Sequence, residues 1–541
     1  MFILRISMII NSGNNKFRKR IKTGYVDKTG LIAYLNKKIG TDDAFYCVTR
    51  PRRFGKTIAA SALCAYLCKD CDSKDLFDGL EISHSPSYLK HLNKYDVIFL
   101  DMQDFESEIG DGNSYIANLN ASMVQELKQA YPKAFVKLEE RNEESIDFPK
   151  AVRLVHQEYG IEFVFILDEW DYVFRTFPNN ENLHNSYLSI LRQLFKETSG
   201  EECVALAYMT GILPIKRLKG QTALNNFKDI SMLNTFGLGK YTDFTETDVK
   251  EICKNNDLDY EKVKLWYGGY NLDGIELYNP YSIEYLTESK VFKGYWSKTA
   301  STEVVEECIA YNLNGIKNAF ADLIEGVSIS NVNVDDFNND FCPSSSRDAV
   351  LVYLVHLGYL SFDKKDNSVR IPNLEVKNEI KSALLKSRNP KVLGIIKKSQ
   401  DFADHILNLE SESVAEEVEE IHQEYCSTIR YNSEQSLQSV LQVALLSSIE
   451  YYDKVKLEEP TGKGFADMVL VPQNGYQNDY PVVVIELKWN KDAKTAIDQI
   501  KERNYLNSFK DKSFGGLLVG INYNPKTKVH DCIIESIDFE K

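Results

Sequence analysis

Glycine and proline are scarce in this 541-residue sequence, at 28 and 14 residues, which excludes a collagen-like chain and long flexible linkers. No stretch approaches the roughly 18 uncharged apolar residues that a membrane span needs. The opening MFILRISMII is apolar but short and interrupted by Arg5 and Ser7, so it does not read as a secretion signal. Basic residues are not in excess. Lys and Arg number 64 against 79 Asp and Glu, leaving a net charge of −15 and no global field to draw in nucleic acid. The eight histidines show no paired spacing, which removes the usual sign of zinc. Ten cysteines in so long a chain make no disulfide framework and suit a reducing cytosol. There is no internal repeat. What remains is ordinary globular composition, 43% hydrophobic and 26% charged, over a length that calls for two or three domains. The chain reads as soluble and cytoplasmic, without a membrane partner.

Texture divides the chain into four parts. Residues 1–20 form a basic leader ending in Lys16, Arg18, Lys19 and Arg20. Over residues 21–240, short apolar runs alternate with helical patterns. The runs are Ala44–Thr49, Val97–Asp101, Phe163–Asp168 and Cys203–Thr210, each closing on a polar residue. Such runs predict buried parallel strands with function at their carboxyl ends, hence a three-layer α/β/α domain. Residues 241–425 turn mainly helical. Thr245 and Asp248 mark a capping-box helix start, and a short hairpin is expected over Leu360–Pro372. Residues 426–541 predict a second compact α/β unit. It begins with a helix over Ser433–Ile449 and a hairpin around Thr461–Gly464. Strands over Phe465–Val471 and Val482–Leu487 follow, then a helix over Ala493–Phe509 and a final strand over Gly515–Ile521.

The strongest early motif is FYCVTRPRRFGKT, a strand followed by a loop and Gly55-Lys56-Thr57 at a helix start. Phosphate binding needs backbone amides and a helix N-terminus facing the phosphates, a lysine for the β- and γ-phosphates, and a hydroxyl for Mg²⁺. Gly55, Lys56 and Thr57 supply these, although Arg50 stands where GxxxxGKT has its first glycine. The strand EFVFILD then ends in Asp168-Glu169. An aspartate there holds Mg²⁺ and a following glutamate polarises the attacking water. A third strand ends in Thr210, placed to sense the γ-phosphate. ATP and Mg²⁺ are therefore the expected ligands of the first domain. Its arginine finger is not identifiable; Arg217 is one candidate, and a neighbouring subunit of a homo-oligomer is another source.

The segments YVDKTGLI, TRPRRFGKT, DEWD, TGILP, WYGGY, YNPYSI and IPNLEV together resemble the AAA-ATPase-like proteins fused to a C-terminal PD-(D/E)XK nuclease domain, a bacterial family. The resemblance runs from about residue 21 to the C-terminus. It implies a P-loop NTPase core, a helical middle region and a C-terminal restriction-endonuclease-like α/β domain. It also implies that Arg50 is the family's own form of the loop, and that Arg52 and Arg53 belong to the phosphate-loop region.

A second constellation stands without that likeness. Asp467 lies on one strand, and Glu486 and Lys488 lie on the next, after an interval of eighteen residues. A hairpin sets such strands side by side, and positions two apart share a strand face. Two carboxylates and one ammonium thereby surround one point. Asp467 and Glu486 can hold Mg²⁺ or Mn²⁺, while Lys488 orients water or stabilises developing charge. By resemblance to RecB-like nucleases, Glu434 adds an acidic ligand, and Gln499 with Tyr505 forms the Gln/Tyr motif. Residues 426–541 carry 14 Lys and Arg against 16 Asp and Glu, nearly neutral where the remainder is acidic. Either a local groove at Lys454, Lys456, Lys463 and Lys488 meets the nucleic acid or the ATPase helps grip it, and DNA is expected before RNA.

Cys64, Cys68 and Cys71 have the C-x3-C-x2-C spacing of an iron–sulfur site. They fall on one face of the helix expected after the phosphate loop, so core packing explains them better. The sequence thus predicts an ATPase (Lys56, Thr57, Asp168, Glu169) coupled to a metal-dependent nuclease. The competing class is a nucleotide-switched module whose nuclease fold binds nucleic acid or protein without cutting.

Overall fold

The computed structural model describes residues 9–106, 112, 114–136, 146–215, 224–296, 305, 316–324, 326–337, 346–386, 399, 401–425, 441, 445, 451–452, 456–461, 464–473 and 475–539. The four apolar runs form strands β1 (Phe45–Thr49), β2 (Val97–Asp101), β3 (Phe163–Asp168) and β4 (Val204–Gly211), joined at one edge by the short β5 (Lys228–Ile230). All pairings are parallel, in the order β2-β3-β4-β1-β5. All six residues of β3 are buried, so both faces of the sheet are covered, as consecutive Val, Ile, Leu and Phe demand. β4 separates β1 from β3, which sets Thr210 between the loop after β1 and the Asp168-Glu169 end of β3.

The leader is not detached from this core. Ile9, Ile10 and Phe17 are buried in it, and the Phe99 amide donates to the Ile9 carbonyl along the open side of β2. The helix after the phosphate loop spans Lys56–Leu67. Cys68 caps it and Cys71 lies beyond, so the expected cysteine stripe is shorter than the spacing implied. Cys47, Cys64, Cys68, Cys71, Cys203, Cys253 and Cys532 are free thiols.

The middle region holds more strand than expected. β6 (Phe244–Thr245), β7 (Tyr270–Leu272) and β8 (Ile275–Tyr278) form an antiparallel sheet in the order β6-β8-β7. β7 and β8 turn at Asp273-Gly274, both at positive φ, the geometry of a type I′ hairpin. The predicted capping box is present: Thr245 and Asp248 bond reciprocally at the start of helix Glu246–Asn256. The expected hairpin is β9 (Ser361–Asp363) with β10 (Ser368–Arg370).

The C-terminal sheet contains β11 (Lys456–Thr461), β12 (Gly464–Leu470), β13 (Val482–Trp489), β14 (Gly515–Asn524) and β15 (Val529–Asp538), in sequence order. Only the β13–β14 pair is parallel, bridged by the helix Ala493–Arg503. Two expectations are corrected. The helix predicted to Phe509 stops at Asn504, which takes φ +53, and continues as a 3₁₀ segment over Tyr505–Phe509. Strand β14 is not the last: β15 pairs with it antiparallel, and its side chains, all exposed or half-exposed but one, lack the continuous apolar run that betrays a buried strand. Helix Ser411–Tyr425 packs by Val414 and Val418 into this core together with Phe402 and Ile406. We therefore propose that the C-terminal unit begins near residue 401, before the expected 426. The predicted helix Ser433–Ile449 lies outside the described residues.

Candidate functional site

The first site grows from the carboxyl ends of β1 and β3. Gly55 sits at φ +81 as the N-cap of helix Lys56–Leu67, and a Cβ there would approach the Thr242 carbonyl oxygen at 3.3 Å. A side chain is opposed by both backbone angle and space. Arg50, in place of the usual glycine, is fully buried. Its Nε donates to Asp243 Oδ2 at 2.8 Å, and its Nη1 to the Thr49 and Ile230 carbonyls at 2.8 and 3.3 Å. It pins the loop to the sheet and does not line the cleft above. Lys56 is buried and donates from Nζ to the carbonyls of Arg50 and Pro51 at 3.0 and 2.9 Å. Burial pushes its pKa down, against the pull of Glu169 and Asp168.

A cleft of about 800 Å³ opens over the loop, walled by Arg52, Arg53, Lys56, Thr57, Glu169 and Arg175 among others. Arg53 takes φ +68 and lays its guanidinium 5.2 Å from the Tyr281 ring, so the YNPYSI motif forms the facing wall. Thr210 lies behind Asp168: it is fully buried, and its hydroxyl donates to Asp168 Oδ1. Asp101 faces Asp168 in the register of β2 and β3, and burial raises its carboxyl to about 6, with Asp168 adding to the rise.

Sequence reasoning missed Arg175. Its Nη2 pairs with Glu169, and its Nε donates to Asp171 Oδ2 at 2.9 Å. The same Asp171 oxygen accepts the amides of Ile212 and Leu213 at 3.1 and 2.8 Å, which ties DEWD to TGILP. Burial pulls the Arg175 guanidinium down, but Asp171 and Glu169 more than offset it. Glu169 is raised by burial, against the pull of Lys56. A signal was available: Asp171 and Arg175 are four apart, the spacing of a helical ion pair.

The second site lies on the antiparallel pair β12–β13. Met468 faces Ile485, and continuing that register by one residue sets Asp467 opposite Glu486. Asp467 Oδ2 accepts the Leu487 amide at 2.7 Å, which fixes it across the pair. Glu486 is buried. Its Oε1 accepts from Lys488 Nζ at 2.9 Å and from Gln499 Nε2, while Oε2 has no hydrogen-bond partner among the described residues. Burial raises the Glu486 carboxyl, and Asp467 adds to the rise. Gln499 also reaches the Tyr505 hydroxyl at 3.4 Å, which the exposed Arg503 contacts at 3.1 Å. Asp467, Glu486, Lys488 and Gln499 are thus brought together.

Glu434 and Arg217 lie outside the described residues. Among those described, no cluster of three or more His, Cys, Asp or Glu side chains could hold a metal ion, and no helix is long and apolar enough to cross a membrane.

Comparison with known proteins agrees with this division. Residues 12–219 match the family model described as predicted AAA-ATPase, and residues 432–532 match that of the PD-(D/E)XK nuclease superfamily. The likeness read from the motifs is borne out in identity and in order. Along 535 residues the chain is 23% identical to an "Uncharacterized protein in vnfD 5'region" of Azotobacter chroococcum mcd 1, covering 95% of each chain.

Proposed function

We propose that this chain, which joins an AAA-ATPase-like region to a PD-(D/E)XK nuclease-like one, binds and turns over Mg·ATP at the first and cleaves phosphodiester bonds at the second. The observation that carries the second half is the state of Glu486. A buried carboxylate with one oxygen bonded to Lys488 and Gln499 and the other without a described partner is costly unless something occupies that side. Asp467 lies across from it, so the residues fit a divalent cation. Glu434 is a further ligand by resemblance. When bound, Mg²⁺ or Mn²⁺ lowers the pKa of a coordinated water. Lys488 steadies charge developing on the phosphate, while Gln499 holds Glu486 in place.

At the phosphate loop the fit is of the same kind. Gly55 leaves the helix N-terminus open to an anion, and Lys56 has its ammonium at the loop's own carbonyls, ready for phosphate oxygens. Thr57 and Asp168 are the Mg²⁺ ligands, with Thr210 holding Asp168 in orientation, and Glu169 is the base for the attacking water. Arg53 closes the loop against Tyr281. The substrate of the second site is nucleic acid, DNA in the first instance, and the protein works in the cytoplasm.

Binding separates the two sites. Lys56→Ala should lose ATP in a fluorescent-nucleotide titration while keeping Mn²⁺ at the second site. Glu486→Ala should lose that Mn²⁺ in calorimetry while hydrolysing ATP at the wild-type rate. Wild-type ATP binding by Lys56→Ala would remove the first assignment, and undiminished Mn²⁺ binding by Glu486→Ala the second.

A further inference from the structure

Beside Lys56, the ATPase reading above still lacks an arginine finger for the γ-phosphate, and the inference drawn here rests on that reading. Several arginines are near the cleft, but most are committed elsewhere. Arg50 is locked to Asp243 beneath the loop, Arg20 pairs with Glu284, Arg53 lies on Tyr281, and Arg52 is exposed on the loop. Arg175 differs. It lines the cleft with Lys56 and Thr57, and its Nη2 holds the carboxylate assigned as base for the attacking water. Its Nε is anchored separately by Asp171, which the Ile212 and Leu213 amides fix from behind. The guanidinium is thus tethered at one corner and bound at the other to a group that must let go. Glu169 is itself held at φ +56, a backbone angle unusual for glutamate and retained only where the surroundings impose it.

We propose that Arg175 is the arginine finger of this chain, supplied in cis. With the site empty it holds Glu169 in an ion pair. With ATP bound, Nη2 moves to the γ-phosphate while Asp171 keeps the hinge in place, and Glu169 is released to orient water. Hydrolysis then proceeds in the usual balance: water oxygen bonds to the γ-phosphorus, the bond to the β,γ-bridging oxygen breaks, Glu169 takes the water proton, and ADP and phosphate leave. A neighbouring subunit is not required for the chemistry.

The test is steady-state ATP hydrolysis by the full chain, wild type against Arg175→Ala and Arg175→Lys, beside ATP binding by each and by Lys56→Ala. Arginine fingers contribute about 10³-fold or more to turnover. Arg175→Ala should bind ATP within a few-fold of wild type and lose at least about 100-fold in kcat. Added guanidinium at non-denaturing concentration should restore part of that loss, and Arg175→Lys should retain part, effects that a merely structural role would not produce. Wild-type specific activity should not change with protein concentration. Near-wild-type kcat in either variant overturns the proposal, as does specific activity that climbs with concentration, the mark of a finger in trans. If Arg175→Ala does not fold, Arg175→Lys and the concentration series decide alone. If wild type and Lys56→Ala are equally devoid of ATP binding, the ATPase reading fails and takes this proposal with it.

Discussion

A buried arginine beside a buried aspartate is tolerable only as a pair, and Arg50–Asp243 is such a pair, both side chains fully inaccessible. Removing one partner strands the other charge, at a typical cost of about 3–5 kcal/mol. Arg50→Ala and Asp243→Ala should each lower the thermal midpoint of the N-terminal region sharply, and the double variant should fall short of their sum. Additive losses in that cycle would mean that the pair does not hold the loop. Glu375, in the IPNLEV motif, makes a second residue-level prediction. Its Oε1 accepts the Tyr295 and Trp296 amides, and its Oε2 accepts from Ser282 Oγ, yet burial still raises its carboxyl to about 7. The folded chain therefore keeps this proton where the unfolded chain has released it. Stability should fall as pH rises from about 4.5 through about 7, by up to about 3 kcal/mol. Glu375→Gln preserves the acceptor for both amides and should flatten that slope in melts across pH 5–8. An unchanged slope would contradict the assignment.

At the scale of elements, Gly520 on β14 controls the second site without touching it. A Cβ there would stand 2.5 Å from the Ala493 carbonyl oxygen, at the first turn of the helix that carries Gln499. Gly520→Ala should push this helix off the sheet, pull Gln499 from Glu486 and cut nuclease activity at least about tenfold, while ATP hydrolysis stays at its wild-type rate. Unchanged cleavage would show that the helix position is immaterial. The elements also show what was legible beforehand. β1 to β4 announced themselves because strands buried on both faces are continuous apolar runs. Asp467, Glu486 and Lys488 were legible because strand periodicity is rigid. β5 and β15 were not, being respectively three residues long and half-exposed, and the β7–β8 hairpin was overlooked although Asp273-Gly274 is a strong turn signal. Arg175 showed only its four-residue spacing to Asp171, because Glu169 converges on it only through the turn after β3.

On the scale of the whole molecule, the WYGGY motif touches both the phosphate loop and the connection between β12 and β13. The Tyr270 ring packs edge-on against Phe54 of the phosphate loop at 5.3 Å, and its hydroxyl donates to the Gly358 carbonyl. Four residues earlier, Trp266 Nε1 donates to the Tyr476 hydroxyl at 2.7 Å, in the connection leading from β12 to β13. Trp266→Phe removes that bond and keeps an aromatic ring, though a smaller one. It should weaken any effect of ATP on the cleavage rate while leaving ATP turnover and ATP-free cleavage unchanged. An ATP effect of wild-type size would show that the sites communicate by another route. Taken from residue 401, the C-terminal part carries 14 Lys and Arg against 25 Asp and Glu, so most of the −15 lies within it.

The most direct measurement is cleavage of supercoiled plasmid and of single-stranded DNA by purified protein, with Mg²⁺ or Mn²⁺ and with or without ATP, run in parallel on Glu486→Ala. Wild type should cut in the presence of metal, and Glu486→Ala should leave the DNA intact while still hydrolysing ATP. Equal residual cutting by the two proteins, or no cutting by wild type under any of these conditions, would contradict a nuclease and leave a nucleotide-switched binding protein in its place.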